Sequence, residues 1–431
     1  MAMTALVAPG AARAQPAEPH ESLPAIDIWG DFPKIDATAA SPALEGAWPA
    51  REGVQGTDGL MGVIVPVEGL ILKPEIRRTW SPARVSRLAD DADARALFGD
   101  QLPPDTEIRS EGPGAMVLSA EAVEAGAMVP RRRKHDASLT FRFVSAQRDD
   151  TGALWLERTW FAYYEPAGAP PGEDAGAPQG GRVRGVVLLM PGMFGTPTGL
   201  LERTTNDLRA RGYGVLRMLC QPSRFTEKFV AELDPSQDLD ARVREVANAF
   251  DTRAAECAYA AQAALAHVHA QRPGVREAPV VAMGFSAGAI TLPVVVARTP
   301  AAYAGGVVVG GGCHWWLMTE LSNYREMIDA VEFRWAPGAM PADLARVREG
   351  YLRASRLDSF HAAPGLRGRA FLCVQGARDL AVPSPLGDAL WERLGRPERD
   401  LVEGGHEVLF LELPKRLERI YDWIAERCPA P

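Results

Sequence analysis

Cysteine is scarce. The chain has five in 431 residues, an odd number scattered through otherwise apolar segments (Cys220, Cys257, Cys313, Cys373 and Cys428). That excludes a disulfide framework and reads as buried small hydrophobes, with one bridge left open if the protein is exported. The seven histidines do not fall at metal-ligand spacings with these cysteines or with carboxylates, so no metal and no other cofactor is expected. A basic excess is missing too. With 47 Lys and Arg against 55 Asp and Glu, the formal net charge is −8, which gives no support for a nucleic-acid partner. Long apolar helices are also lacking. Two stretches free of charge, Ala278 to Ala297 and Thr299 to Thr319, are broken by Pro279, Gly284, Gly288 and Pro293 in the first and by five glycines in the second. A spanning helix needs about 20 continuous apolar residues, so both read as buried strands with turns and no integral membrane span is expected. No repeat with a period of roughly 20–50 residues is present. What the sequence has is a 47% hydrophobic fraction with 24% charged residues, ordinary for a soluble globular chain.

The chain falls into unequal parts. Met1 to Ala8 is apolar, and Ala12-Arg13-Ala14 before Gln15 looks like a small-residue cleavage site, although a charged leader is missing. Residues 1–14 read as a signal-peptide remnant or a merely disordered start, which puts a periplasmic or secreted location slightly ahead of a cytoplasmic one. Residues 15–136 form an N-terminal extension of weak periodicity and unassigned role. Within it the pattern predicts a helix from Pro82 to Phe98, with Ser81 as N-cap and Gly99 after its end, a second helix from Ser119 to Gly126, and a solvated loop at Arg131 to Lys134. From residue 137 to 431 the pattern changes. Leu139 to Val144 and Leu154 to Tyr164 read as strands around the turn Asp149-Asp150-Thr151-Gly152. Short apolar runs follow at Arg184 to Met190, Tyr213 to Cys220, Val280 to Met283, Gly306 to Val309 and Ala370 to Val374. A long helical segment spans Asp240 to Gln271. Apolar runs of this length between helices describe strands buried on both faces of a mostly parallel sheet, an α/β architecture.

The chemistry sits in Gly284-Phe285-Ser286-Ala287-Gly288, between a strand and the helix predicted at Ala289 to Arg298. A G-x-S-x-G run in that setting holds its serine on a tight turn with Oγ exposed, and the helix behind it adds partial positive charge. A serine nucleophile needs a base, and the base an orienting acid. His406 stands out, in Glu403-Gly404-Gly405-His406-Glu407, after a short strand (Asp400 to Val402) and before a helix predicted from Pro414 to Arg427. His267 and His269, two apart on a helix, lie on different faces. His314 and His361 are candidates for the pocket edge or plain satisfied polar groups. Asp379 ends the strand Ala370 to Val374 and supplies the acid.

The order Ser286, Asp379, His406, with the run Gly376-x-x-Asp379-x-x-Val382-Pro383, resembles the α/β-hydrolase superfamily, and the acid loop is similar to its dienelactone-hydrolase-like and prolyl-oligopeptidase-like branches. The resemblance covers about two-thirds of the chain, from Ser138 to Arg427. It implies a central sheet flanked by helices, with Ser286, Asp379 and His406 as a catalytic triad on a nucleophile elbow. It also implies an oxyanion hole from the backbone N–H groups of Ala287 and Met193, the latter in Met190-Pro191-Gly192-Met193-Phe194-Gly195. Pro191 stands where the family commonly has histidine. The residues between the last apolar strands, 314–368, occupy the usual place of a helical lid, with helices expected at Thr319 to Glu332 and Pro341 to Arg356. Phe194, Phe285, Trp315 and Trp316 are the expected pocket residues. The function implied is a metal-independent serine hydrolase acting on a small-molecule carboxylic ester. Amide or peptide hydrolysis by the same triad, and a non-catalytic binding protein on this scaffold, are the alternatives.

Overall fold

The computed structural model describes residues 32–55, 60–67, 70–72, 84–110, 116–118, 137–149, 151–167, 183–193, 198–328 and 330–428. The first fourteen residues, the helix expected at Ser119 to Gly126 and the loop at Arg131 to Lys134 lie outside them. Five strands come from before residue 137: β1 (Val63–Pro66), β2 (Leu70–Leu72), β3 (Arg84–Arg87), β4 (Glu107–Ser110) and β5 (Met116–Leu118). Ten follow: β6 (Leu139–Arg148), β7 (Leu154–Tyr164), β8 (Gly185–Met190), β9 (Tyr213–Met218), β10 (Phe229–Leu233), β11 (Val280–Phe285), β12 (Tyr303–Val309), β13 (Val331–Trp335), β14 (Ala370–Gly376) and β15 (Glu398–Val402).

The large sheet runs β1-β6-β7-β9-β8-β11-β12-β14-β15. From β9 to β15 every pairing is parallel, whereas β1, β6, β7 and β9 pair antiparallel. β4 joins β7 in parallel and carries β3 on its other side. This is the mostly parallel, helix-flanked sheet that the apolar runs predict. Strands β8 and β11 are buried along their whole length, as continuous apolar runs covered on both faces must be. Alternate residues of β8, β11, β12 and β14 pack with the helices Thr198–Ala210 and His406–Arg427. The helices Leu239–Gln271 and Ala287–Arg298 pack against one another and onto the sheet. Such a sheet presents its loops for chemistry at the carboxyl ends of the strands. Met190, Phe285, Gly376 and Val402 all end there.

Three expected helices differ from the structure. The helix of the extension is only Ala92–Phe98, capped by Asp91, whose side chain accepts from Asp93 N and Ala94 N. Residues 84–87 are strand because β4 offers them a full ladder, and tertiary pairing overrides a modest local preference. The helix expected over Thr319 to Glu332 is divided. Trp315–Leu321 stops where the Ser322 hydroxyl donates to Ala381 O at 2.7 Å, a short helix Arg325–Ile328 follows, and β13 then pairs with β10. The last helix begins at His406 and carries Pro414 inside it. Proline reads as a helix start because it lacks an N–H, and here one internal bond is forgone instead. Cys257, Cys313, Cys373 and Cys428 are buried and unbridged. Among the described residues no helix is long and apolar enough to cross a membrane.

A buried carboxyl in the sheet makes stability depend on pH. Glu157 of β7 lies opposite Ser145 of β6, and Ser145 Oγ donates to Glu256 of the long helix at 2.9 Å. Burial, reinforced by the neighbouring Glu256 carboxylate, pushes the Glu157 pKa up to about 8. An unfolded chain releases that proton near pH 4.3, so between there and about pH 8 the folded state keeps a proton that the unfolded state has lost. Stability therefore falls as pH rises through that interval. Glu157→Gln is neutral throughout. It should gain up to about 4 kcal/mol over the parent at pH 8 and nothing at pH 4. Thermal melts of both proteins at the two pH values check this, and parallel pH profiles would show that Glu157 is not held protonated.

Candidate active site

Ser286 sits between β11 and the helix Ala287–Arg298 at φ 48° and ψ −115°, a conformation that side-chain-bearing residues rarely adopt. The surroundings force it. A Cβ on Gly284 would lie 2.5 Å from the Gly288 carbonyl oxygen, and one on Gly288 would lie 2.4 Å from that of Met190. Only glycine at both flanks lets the turn close against the neighbouring strand. The Ser286 N–H donates to Val309 O of β12 at 2.8 Å and its carbonyl accepts from Ile290 N at 2.9 Å, so the residue is tied on both sides.

The side chains expected to act together do meet. His406 Nε2 lies 3.0 Å from Ser286 Oγ, and His406 Nδ1 lies 2.7 Å from Asp379 Oδ2. A carboxylate only accepts, so Nδ1 carries the proton and Nε2 is left to accept from the serine hydroxyl. Asp379 is itself fixed, because its Oδ1 accepts from the Ala381 and Val382 amides, both at 2.9 Å, and its own N–H donates to Ser384 Oγ at 2.8 Å. Asp379 and His406 are buried and Ser286 is half-buried. Beside them Tyr324 OH donates to Glu407, a bond that holds the Glu407 carboxyl below its usual range.

The loop after β8 runs alongside the serine. A Cβ on Gly192 would be 3.2 Å from Ser286 Cβ. The Pro191 carbonyl, at the position where the sequence departs from its resemblance, accepts from Gly288 N at 3.1 Å and from Gln221 Nε2 at 2.6 Å. Gln221 in turn accepts from Cys257 Sγ at 3.4 Å. A side-chain amide from a different loop thus anchors the Pro191 carbonyl. Ser286 and Gly288 use their amides on Val309 and Pro191. Ala287 between them is the first residue of the helix, where amides have no intrahelical acceptor.

A cavity of about 710 Å³ opens at the serine, and Met193, Ser286, Ala287, His406 and Trp315 all line it. Of the four expected pocket residues, Trp315 alone is among the described lining. Trp316 is a correction. Neighbouring helix positions point about 100° apart, and its ring stacks on Phe333 at 4.1 Å in the interior. Phe285 is a second correction, because it points to the far face of the sheet and packs with Leu409 and Leu413. Phe194 lies outside the described residues. His314 caps the helix Trp315–Leu321, accepting from Leu317 N at 3.4 Å, and burial lowers its pKa to about 4. His361 bonds Leu352 O at 2.7 Å, so both are structural.

Asp358 holds Trp315 in place. Its carboxylate accepts from the His314 and Trp315 amides, the Phe360 amide and Tyr351 OH, at 2.7–2.8 Å. It therefore fastens the start of segment 314–368 to residues 351–360 of the same segment. Phe225, Phe250 and Arg253 also line the cavity and were not expected. Arg253 follows Phe250 by three positions on the face that continues to Cys257, and a lone arginine on that otherwise apolar stripe was the available signal. Its guanidinium is buried, and burial pushes its pKa down to about 10, which still leaves it charged.

Comparison with protein-family models and with curated proteins finds no match. Among solved structures, the chain is similar to the acylaminoacyl peptidase of Pyrococcus horikoshii at 12% identity and a TM-score of 0.40, over 67% of this chain and 48% of that one. It therefore spans about half the length of that peptidase. It is also similar to an esterase of Pyrococcus furiosus, at 12% identity and a TM-score of 0.40, over 70% of this chain and 96% of that one. A cold-adapted esterase from an Arctic intertidal metagenomic library shows 16% identity and a TM-score of 0.36, over 70% and 100%.

Proposed function

We propose that the chain is a serine hydrolase that cleaves a carboxylic ester through an acyl-enzyme on Ser286. The observation that carries this reading is the continuous hydrogen-bonded chain from Ser286 Oγ through His406 to Asp379, opening onto the cavity. In the first half-reaction Ser286 Oγ bonds to the ester carbon while its proton passes to His406 Nε2. Asp379 holds the ring and stabilises the imidazolium. The carbonyl oxygen becomes an oxyanion, stabilised by the N–H groups of Ala287 at the helix start and of Met193 in the loop after β8. Collapse expels the alcohol, which takes the proton from His406. Water then gives a proton to His406 and attacks the acyl carbon, and the acid leaves as Ser286 recovers its proton. Segment 314–368 acts as a cover, with Trp315, Met318 and Val331 forming an apolar wall over the ester.

A fluorophosphonate probe tests the reading. It should label the protein once, with the modified peptide containing Ser286, because only an activated serine attacks phosphorus at a useful rate. p-Nitrophenyl esters of rising chain length, run beside aminoacyl-p-nitroanilides, should then be turned over in preference to the anilides. Absence of labelling would favour a binding protein on this scaffold, and preference for the anilides would favour an amidase.

A further inference from the structure

The cavity is apolar around the serine but contains a buried cation. Phe225, Phe250, Trp315, Met318 and Ile290 contribute carbon surface, and Arg253 shares that lining. Its Nη2 donates to the Glu227 carbonyl oxygen at 2.6 Å. Its Nε and Nη1 donate to no described residue, and among the described residues no carboxylate forms an ion pair with it. The acids near it are already engaged. Arg224 meets the Glu227 carboxylate, Nη2 to Oε2 at 2.6 Å, so two guanidinium groups share that one charge, and burial raises the Glu157 pKa and so disfavours its charged form. Arg325 and Glu407, the other fully charged side chains of the described lining, are exposed at the mouth and screened by solvent. Glu227 favours the charge of Arg253 across space but also serves Arg224, and a buried guanidinium with only a shared counter-charge is costly unless something that enters the cavity supplies another.

We propose that Arg253 selects the substrate: the cavity takes an ester whose apolar body carries a carboxylate, which binds Arg253 while the ester group lies at Ser286. The inference rests on the hydrolase reading and adds the substrate's chemistry to it. A volume of about 710 Å³ falls within the usual range for small-molecule sites, roughly 300–1,000 Å³. A half-ester of a medium-chain dicarboxylic acid combines the required parts, an alkyl chain for the aromatic wall and one anion for the guanidinium.

Monomethyl suberate and dimethyl suberate form a matched pair, differing in one carboxylate. Calorimetric titration of the Ser286→Ala protein should show the half-ester binding about tenfold or more tighter than the diester, the effect of one charge-assisted hydrogen bond. Arg253→Met in that background should abolish the difference, and Arg253→Lys should restore most of it. The comparison on the Ser286→Ala protein alone stands even if Arg253→Met fails to fold. Equal affinity for the two esters, or a difference that survives in Arg253→Met, would overturn the proposal and leave Arg253 a solvated structural residue. Turnover of both esters, followed by pH-stat on the wild-type protein, separates the two readings. Turnover without discrimination leaves the hydrolase and removes the anion site. Discrimination in binding without turnover removes the hydrolase and leaves Arg253 as an anion site.

Discussion

Ser286→Ala is expected to lower kcat for a hydrolysable ester by about 10⁵–10⁶, to the residual rate that an oxyanion hole and binding sustain without a nucleophile. The protein should keep its fold, because the substitution removes an oxygen and leaves the backbone bonds of residue 286 to Val309 and Ile290 in place. The unusual φ of 48° is shared by serine and alanine alike, so the melting temperature should change little. Steady-state kinetics on the best ester of the panel, with a melt on the same sample, measures both. Turnover within about tenfold of the parent would remove Ser286 as nucleophile.

Asp379→Asn should lower kcat by about 10⁴, the scale seen when the orienting acid of such a triad loses its charge. The geometry explains why an isosteric change would cost so much. Oδ1 accepts two backbone amides, from Ala381 and Val382, so the asparagine oxygen will occupy that place and its NH₂ will face His406. An NH₂ there forces Nδ1 to accept, which moves the ring proton to Nε2 and points a donor at Ser286. Nitrogen-15 shifts of the His406 ring would report the changed tautomer alongside the lost rate. If the variant is as active as the parent, and Glu407 proves essential instead, the orienting acid is not Asp379.

Much of this arrangement was legible in the sequence because it obeys local rules. Strands buried on both faces, such as Gly185–Met190 and Val280–Phe285, appear as unbroken apolar runs, and the glycines flanking Ser286 mark a turn that no other residue allows. Asp379 and His406 could be singled out because each follows a strand, and their side chains do lie within hydrogen-bond reach of one another and of Ser286. Other features depend on what packs against them. Arg84–Arg87 becomes strand only because Glu107–Ser110 is beside it, and both strands are too short to show a period. Trp315 and Trp316 are adjacent in sequence, yet one lines the cavity and the other stacks on Phe333. Helix rotation decides that, and composition is silent about rotation. Phe285 is excluded from the cavity by strand alternation, a rule the sequence did carry. Arg253 and Gln221 are polar residues whose importance lies in the groups they meet across the fold.

The single carboxylate of Asp358 ties His314 and Trp315 to Tyr351 and Phe360, and the consequence concerns how such a protein can diverge. Between those ties, the turn from β13 to the helix Pro341–Ala354 can gain, lose or exchange residues without shifting the strands that hold Ser286, Asp379 and His406. Replacements among Met318, Ile328 or Val331 would reshape the chamber without removing any hydrogen bond among Ser286, His406 and Asp379. The shape of the chamber is therefore free to vary separately from the spacing of Ser286, Asp379 and His406, by drift in one short stretch of chain.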